Sequence, residues 1–333
     1  MKYKRKNYLI LFILIIIILQ LIIPTKLKAQ DYYFSPFSGK VIQEKFFQNA
    51  VMAVIENSKQ ARPQSGLNSA PIVYEYLVEG GITRFLALYW YDIPNKIGPI
   101  RSARPYLIKT SDSYKSILLH AGASPAGFNI LQNNDIKHID QIYNGNYFWR
   151  GSEKKIPHNL FTGYFKISDY LNNRTGQEYK DRFEFKDLSF INTENIEAKK
   201  IEINYWGNYK VNYKYDINNN VYKRYLNDFE TPHLNQNDEQ ITVKNILIKF
   251  VETKTKDDQG RLEMKINGTG KAYIFMDGDF IEGKWKKDEG KWTVFYNNKN
   301  EEIKLNPGKT WIQVVPNSNA INYEKGDNNG KRN

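Results

Sequence analysis

The chain has 333 residues, a formal net charge of +12 and no cysteine. The lack of cysteine excludes disulfides, thiolate nucleophiles, cysteine-based metal sites and a lipid attached through a thiol. About 300 residues follow the N-terminal segment, which is enough for two domains that each bury a core.

Residues 1–29 have the composition of an export signal. Four basic residues lie before position 7, and an apolar run extends from Tyr8 to Ile23, interrupted only by Gln20 and ended by Pro24. This pattern predicts either a cleaved signal peptide or a retained N-terminal membrane anchor. In both cases the body of the chain is exported and faces the outside of the cell.

The positive charge is unevenly distributed. Residues 1–29 hold six Lys and Arg side chains and no acid, so the rest of the chain has a net charge of +6. A modest positive charge suits a protein that works beside an anionic cell wall or membrane surface. The basic residues do not form the dense runs expected of a nucleic-acid groove, so no nucleic-acid partner is predicted.

The first half of the chain alternates short apolar runs with helix-like segments. This pattern predicts a mixed α/β domain with a central sheet over residues 45–190. Proline at the start of two segments favours helix beginnings there. The predicted elements are strands at 51–55, 72–78, 84–91 and 117–120, and helices at 103–114, from about 125 and near 167–171.

The second half is predicted to be an antiparallel, β-rich domain over residues 201–316. Alternating Tyr, Ile, Val and Lys residues begin near Ile201, and turn signals such as Asp277-Gly278 separate the later strands. Residues 317–333 are rich in Asn, Gly and Lys and are predicted to be disordered. The predicted fold class is therefore α+β, with a mixed N-terminal domain followed by an antiparallel C-terminal domain.

Arginine is concentrated in one window of a chain that otherwise uses lysine. Between positions 62 and 150 there are five arginines and four lysines, whereas the whole chain has 11 arginines and 37 lysines. The planar guanidinium binds carboxylates and phosphates in bidentate geometry, so the window indicates an anion site. The alternative is a set of internal ion pairs, since the same window contains Glu75, Glu79 and four aspartates.

Long motifs occur in the first half of the chain, and shorter ones follow in the second. They are Ala61–Leu67, Ile72–Glu75, Glu79–Phe85, Gly98–Arg104, Pro157–Leu160, Asp277–Gly278, Gly283–Trp285 and Pro307–Trp311. Together they resemble the DUF3048 family over residues 45–316. The resemblance implies an exported, often membrane-tethered protein of a family whose molecular function is not established. The chain departs from the family pattern in lacking a lipidated cysteine and in having Ala70-Pro71 where the family has Ala-Asp.

Two sets of residues are candidates for function. If the protein binds an anion, the candidate ligand-binding residues are Arg62, Arg84, Arg101, Ser102, Arg104, Ser124 and Asn159. If it is an enzyme, the candidate acid/base residues are Glu75, Glu79, His120 and His158. Either serine also suits a helix cap, and each histidine can be a hydrogen-bonded structural residue. No cofactor and no metal site is predicted, because the histidine spacing fits no ligand motif.

The preferred hypothesis is a binding or regulatory protein of the cell envelope with an Arg/Glu/His-lined cleft. Its ligand would be an anionic cell-wall group, such as a peptidoglycan stem peptide or a glycan-linked phosphate, and its membrane contact would be the apolar segment in residues 1–29. The alternative is a hydrolase of envelope polymers, with Glu75 or Glu79 and His120 as acid/base groups. The hydrolase needs these groups to converge beside a cavity, and the binding protein does not.

Overall fold

The computed structural model describes residues 32–179, 183–187, 197–206, 209–316 and 321–324. Residues 1–29, predicted to be a signal or anchor, lie outside these ranges, as does most of the chain after position 316. Within the described ranges no helix is both long enough and apolar enough to cross a membrane.

The described helices lie in the first half of the chain. They are α1 (Pro105–Ser113), α2 (Pro125–Asn133) and α3 (Tyr164–Asn172), with short 3₁₀ turns at Lys59–Ala61, Leu67–Ser69, Glu79–Gly81 and Gly145–Tyr147. Proline begins α1 and α2, where its missing N–H has no intrahelical partner to lose. Ser124 caps α2, since its Oγ accepts a hydrogen bond from the Gly127 amide at 3.2 Å. α1 begins directly after Arg104, two residues later than predicted, so Ser102 is not its cap.

The strands of the first half form from runs of β-branched and aromatic residues. The three longest are buried along their whole length, as expected for strands covered on both faces. In chain order the strands are β1 (Tyr33–Phe34), β2 (Val41–Ile42), β3 (Val51–Glu56), β4 (Ile72–Leu77), β5 (Thr83–Tyr89), β6 (Ile117–His120), β7 (His138–Asp140), β8 (Trp149–Arg150) and β9 (Leu160–Phe161).

Strands dominate the described part of the second half. Several alternate buried and partly exposed residues, which is typical of a sheet with one covered face. They are β10 (Lys200–Asn204), β11 (Lys210–Asp216), β12 (Val221–Leu226), β13 (Thr242–Val243), β14 (Asn245–Phe250), β15 (Thr253–Thr255), β16 (Leu262–Met264), β17 (Gly268–Met276), β18 (Asp279–Lys287), β19 (Val294–Asn297), β20 (Thr310–Val315) and β21 (Ile321–Glu324).

One ten-stranded sheet runs through both halves, in the order β19-β18-β17-β14-β20-β4-β5-β3-β6-β7. β20 joins the halves, because it pairs in parallel with β14 on one side and with β4 on the other. A separate five-stranded antiparallel sheet has the order β13-β12-β11-β10-β21. The predicted α+β class is confirmed, whereas a sheet shared by the two halves was not predicted.

Part of the C-terminal tail belongs to this second sheet. β21 pairs antiparallel with β10, and its Tyr323 ring stacks on Phe280 with centroids 4.5 Å apart. These four residues lie inside the tail predicted to be disordered, so that expectation does not hold for them. The prediction rested on the polar composition of the whole tail. It therefore missed the short strand in which Ile321 and Tyr323 alternate with polar residues.

Candidate functional site

Arginines gather at the end of the large sheet where β3 ends and β5 begins. Arg84 is directly opposite Glu56 in the antiparallel pair β3–β5. The amide of Arg101 donates to the Val54 carbonyl at 2.9 Å, and its Nε lies 3.4 Å from Oε2 of Glu56. Strand pairing thus brings together two arginines from separate segments of the chain.

A third arginine, Arg104, is held by Glu79. Arg104 Nε donates to Oε1 at 2.6 Å, and Nη2 donates to Oε2 at 2.9 Å. Glu79 begins a 3₁₀ turn in which Gly80 has a φ of 74°, a conformation that favours glycine. Burial opposes ionisation of Glu79, but the hydrogen bonds and charge of Arg104 outweigh it and lower the pKa of the carboxyl. Glu79 is therefore ionised at neutral pH, and its two carboxylate oxygens are engaged by Arg104.

Arg84 has no carboxylate partner among the described residues. Its side chain is buried, and Nη1 donates to the Ser102 carbonyl at 2.7 Å. Its Nε is buried without any hydrogen-bond partner. Burial and then the charge of Arg104 lower the pKa of Arg84 to about 10, so it is still a cation at neutral pH. We term Arg84, Arg101 and Arg104 the arginine row; it has three cations for the two carboxylates of Glu56 and Glu79.

An open groove of about 530 Å³, the basic groove, adjoins the Arg101 end of the row. His158 lines it, and the His158 Nδ1–H donates to Oε1 of Glu56 at 2.9 Å. The Ser58 hydroxyl donates to the same oxygen at 2.8 Å. Glu56 therefore links the arginine row to the basic groove. The groove is lined by one acid, Glu153, and by the cations Lys59, Arg62, Lys154 and Lys155.

Arg62 is anchored at the edge of this groove. Its Nε donates to the Asn57 side-chain oxygen at 3.1 Å, and its Nη2 donates to the Asn57 carbonyl at 2.8 Å. The guanidinium also lies over the ring of Tyr209, 5.2 Å from the centroid. Burial lowers the pKa of Arg62. These contacts hold the charge in place, and no carboxylate of the described part of the chain is in direct contact with it.

A second cavity lies at the Arg104 end of the row. It has a volume of about 520 Å³ and lies between the N-terminal ends of α1 and α2 and the hairpin β15–β16. We term it the hairpin cavity. Apolar side chains, including Leu262, Met264 and Ile266, form much of its lining. Because the helices come from the first half and the hairpin from the second, the cavity exists only where the halves meet.

Cations outnumber acids around the hairpin cavity. The acids are Asp257 and Glu263, and Asp257 is paired with Arg261 at 2.7 Å. The other cations in the lining are Arg104 and three lysines that form no ion pair with any described carboxylate: Lys109, Lys256 and Lys265. The positive ends of two helix dipoles add to this field.

Glu75 lies away from the arginine row, on the opposite face of the sheet. It is fully buried, and its Oε2 accepts from Arg224 Nη2 at 2.9 Å. Its Oε1 accepts from Thr83 Oγ1 at 2.7 Å and from the Tyr209 hydroxyl at 2.9 Å. Both carboxylate oxygens are thus engaged inside the protein, which is the arrangement expected of a structural ion pair.

Arg224 completes this buried network. Its Nε donates to His233 Nδ1 at 2.8 Å, and its Nη1 donates to the Tyr213 hydroxyl at 2.6 Å. Since arginine can only donate, His233 carries its proton on Nε2, which donates to Oε1 of Gln64 at 2.9 Å. We term Glu75, Tyr209, Tyr213, Arg224 and His233 the core network. It joins β4 of the first half to β11 and β12 of the second.

His120 is also buried and bonded through both ring nitrogens. Its Nδ1 donates to the Gly122 carbonyl at 2.9 Å, and its Nε2 accepts from His138 Nδ1 at 3.1 Å. Burial lowers the pKa of His120, although the nearby carboxylate of Asp140 acts in the opposite direction. The predicted acid/base partners are therefore separated: Glu75 lies in the core network, Glu79 on Arg104, and His120 beside His138.

The remaining candidates have mainly structural contacts. Ser102 contributes its carbonyl to Arg84, and Ser124 caps α2 while also lining the hairpin cavity. Asn159 links the two strands of β8–β9, with its Oδ1 accepting from Arg150 at 2.9 Å. Sequence reasoning missed Glu56. The feature that could have indicated it is an acidic residue directly after the apolar run 51–55. Sequence reasoning also missed the cavity lysines of the second half, for which no local pattern exists.

The comparisons with known proteins cover both halves. The chain matches the models "Protein of unknown function (DUF3048) N-terminal domain" over residues 37–179 and "Protein of unknown function (DUF3048) C-terminal domain" over residues 201–312. It is 32% identical over 319 residues to "Putative lipoprotein YerB" of Bacillus subtilis (strain 168), which spans 91% of this chain and 90% of that protein. The crystal structure of the YerB protein from Bacillus subtilis is similar with a TM-score of 0.79 and 30% identity, over 87% of this chain and 99% of that chain.

Replacing Arg224 with Met should destabilise the fold, because it leaves the Glu75 carboxylate buried without its cation. We expect a loss of about 3–5 kcal/mol in the free energy of unfolding, measured by urea denaturation. The matched control is Lys210→Met, which breaks the partly exposed pair with Glu202 and should cost less than about 1 kcal/mol. Equal losses in the two variants would contradict a structural role for the core network.

Stability should fall as the pH is lowered from 7 to 5.5. Burial, followed by the charges of Arg224 and Arg62, lowers the pKa of His233 well below its usual value, and burial also lowers that of His120. Below about pH 6.5 the unfolded chain binds protons that the folded chain does not, so folding loses about 1 kcal/mol for each such imidazole by pH 5.5. Urea denaturation of the parent and of His233→Gln at both pH values measures this. The variant should be less stable at pH 7 but less sensitive to pH, and an unchanged pH dependence would refute the assignment.

Proposed function

The chain belongs to the DUF3048 family, and we propose that it is an exported cell-envelope protein that binds an anionic cell-wall ligand. The name of its YerB relative describes a lipoprotein, and the basic and apolar residues before Pro24 support export of this chain. The chain has no cysteine for lipid attachment, so the apolar segment itself would hold it at the membrane.

The buried, unpaired guanidinium of Arg84 carries the proposal for ligand binding. A buried cation with no carboxylate at ion-pair distance is costly in the folded state, and the charge of Glu79 only partly offsets the effects that lower the pKa of Arg84. Groups with perturbed pKa values cluster at functional sites, and an anionic ligand would supply a further counter-charge here. Arg84 lies in the middle of the arginine row, between the basic groove and the hairpin cavity. An extended anionic ligand would contact both cavities and place one anionic group near the row.

A peptide ligand fits the hairpin cavity better than a sugar phosphate does. Guanidinium groups recognise both carboxylates and phosphates, so the arginines alone do not discriminate between them. The apolar lining formed by Leu262, Met264 and Ile266 would cover methyl and methylene groups, which peptides carry and sugar phosphates largely lack. The favoured ligand is therefore the carboxylate-bearing stem peptide of peptidoglycan.

The hydrolase alternative has less support from the same geometry. A general acid and base must reach the bond that is cleaved, but Glu75 and His120 are completely buried. Glu79 is accessible only in part and is held by two hydrogen bonds to Arg104. Acid/base chemistry would require these groups to leave their partners, whereas binding uses the cations as they stand.

Removing two cavity lysines should weaken binding without unfolding the protein. Lys256 and Lys265 are exposed and have no described ion-pair partner, so Lys256→Gln/Lys265→Gln should keep its thermal stability. Loss of one charged hydrogen bond corresponds to about tenfold in affinity, so we expect about a hundredfold loss for the pair. The measurement is co-sedimentation with purified cell-wall sacculi at several salt concentrations.

The matched control is Lys284→Gln, which removes an exposed lysine from β18 outside the hairpin cavity. Sacculi from which the phosphodiester-linked polymers have been removed separate the two ligand classes, since a stem-peptide ligand remains and a glycan-linked phosphate does not. No retention of the parent protein on either preparation would overturn the proposal. Release of labelled peptidoglycan fragments by the parent, abolished in Glu79→Gln, would favour the hydrolase instead.

A further inference from the structure

Four large apolar side chains near the start of the described chain are exposed, as is Tyr91 after β5. They belong to the hairpin β1–β2 and the segments beside it: Tyr32, Phe34, Val41, Phe47 and Tyr91, with exposed fractions of 66%, 61%, 57%, 53% and 37%. We term these five residues the N-terminal apolar surface. Exposed apolar side chains are ordinary when scattered, but a group of them at one place indicates an interaction surface.

Pairing and packing hold this surface in a defined shape. Phe34 and Val41 are directly opposite each other in β1–β2 and are both exposed. Phe37, in the connecting turn, is fully buried and packs its ring against Trp90 at 5.7 Å. Val41 and Tyr91 line the same cavity. The hairpin is therefore fixed to the core by Phe37 while its other face points to solvent.

The shared cavity is polar and basic. It has a volume of about 370 Å³ and is lined by Lys40, Lys309 and several hydroxyl and amide groups, with Asp92 as its acid. Burial, followed by the charge of Lys40, lowers the pKa of Lys309 to about 8. Two lysines against one carboxylate leave this cavity with an excess of positive charge next to exposed aromatic rings.

The chain connects this surface closely to the apolar N-terminal segment. Only eight residues separate Ile23, the end of the apolar run, from Tyr32. Even fully extended, they reach about 28 Å. Two of the eight are Lys26 and Lys28. A segment inserted in a bilayer would thus keep the N-terminal apolar surface close to the membrane.

We propose that the N-terminal apolar surface lies on an anionic lipid bilayer, with its aromatic side chains among the head groups and one lipid phosphate in the cavity of Lys40 and Lys309. Aromatic rings are enriched at this depth of a membrane, and lysines beside them attract anionic lipids. The proposal rests on the proposed export of the chain but not on its cell-wall ligand. It assigns the folded body a membrane contact of its own, in addition to the N-terminal segment.

The absence of cysteine makes the test direct, because each introduced cysteine is the single label site. The full-length protein carrying Phe34→Cys or Val41→Cys is labelled with an environment-sensitive fluorophore and reconstituted into phosphatidylglycerol vesicles. The matched control is Ile142→Cys, an equally exposed apolar position. Ile142 follows the end of β7, which runs parallel to β6 and β3, so it lies at the opposite end of the sheet from Tyr91.

We expect emission from positions 34 and 41 to shift to the blue and to be quenched by lipids with a nitroxide head group, and emission from position 142 to do neither. Equal emission at all three positions would overturn the proposal. So would a blue shift at positions 34 and 41 that occurs without vesicles and grows with protein concentration, because a second copy would then cover the surface.

Lys40→Gln tests the phosphate site separately. In phosphatidylcholine vesicles the shift at position 41 should be smaller than in phosphatidylglycerol, and Lys40→Gln should reduce that difference, whereas Lys284→Gln should not. The phosphate of phosphatidylcholine is neutralised by the choline of its own head group, whereas that of phosphatidylglycerol is not. No dependence on the lipid charge would therefore refute binding of an anionic head-group phosphate by Lys40. Since these assays contain no cell wall and the sacculus assay contains no lipid, failure of one proposal is distinguishable from failure of the other.

Discussion

The buried ion pair between Glu75 and Arg224 joins the two halves of the chain in the protein interior. Each residue belongs to a different half of the chain, and neither half alone can supply the counter-charge and the hydroxyl groups that this pair needs in a dry interior. The halves must therefore fold against each other. β20 reinforces this by pairing in parallel with β14 and β4. The hairpin cavity, which needs helices from one half and a hairpin from the other, is a consequence of that union.

The small number of nearby carboxylates explains the net positive charge of the arginine row. Glu75 is used in the core network, Glu79 in holding Arg104, and Glu56 in holding both Arg101 and His158. No described carboxylate is left for Arg84, so the row has an excess of positive charge where two basic cavities approach it. The interpretation of the arginine window as internal ion pairs therefore holds for some of its members. Arg101 and Arg104 form such pairs. Arg62, Arg84 and Arg150 bond instead to amide or carbonyl oxygens, with no described carboxylate at ion-pair distance.

The sequence predicted the local structure well because local patterns encode it. The apolar run from Val51 and the prolines at the first positions of α1 and α2 predicted elements within a few residues of those observed. The partner of Glu75 lies 149 positions away in β12, and no periodicity in either strand indicates that contact. The cavity lysines were missed for the same reason, since hairpin β15–β16 and the helices come together only in the tertiary structure, where they line one cavity. Motif resemblance identified the family, but the family name carries no ligand that could have pointed to these residues.

The two proposed surfaces lie at opposite ends of one strand. Arg84 is near the start of β5 and Tyr91 follows its end, and seven residues of extended chain span about 23 Å. The neighbouring strands place the other residues in the same way. Glu56 at the end of β3 and Glu79 after β4 lie at the Arg84 end of the sheet, whereas Lys309 before β20 lies at the Tyr91 end. A protein resting on a bilayer through Phe34, Val41 and Tyr91 would therefore direct its arginine row away from the membrane, towards the cell wall. In that arrangement the sheet would separate the proposed membrane contact from the proposed cell-wall contact.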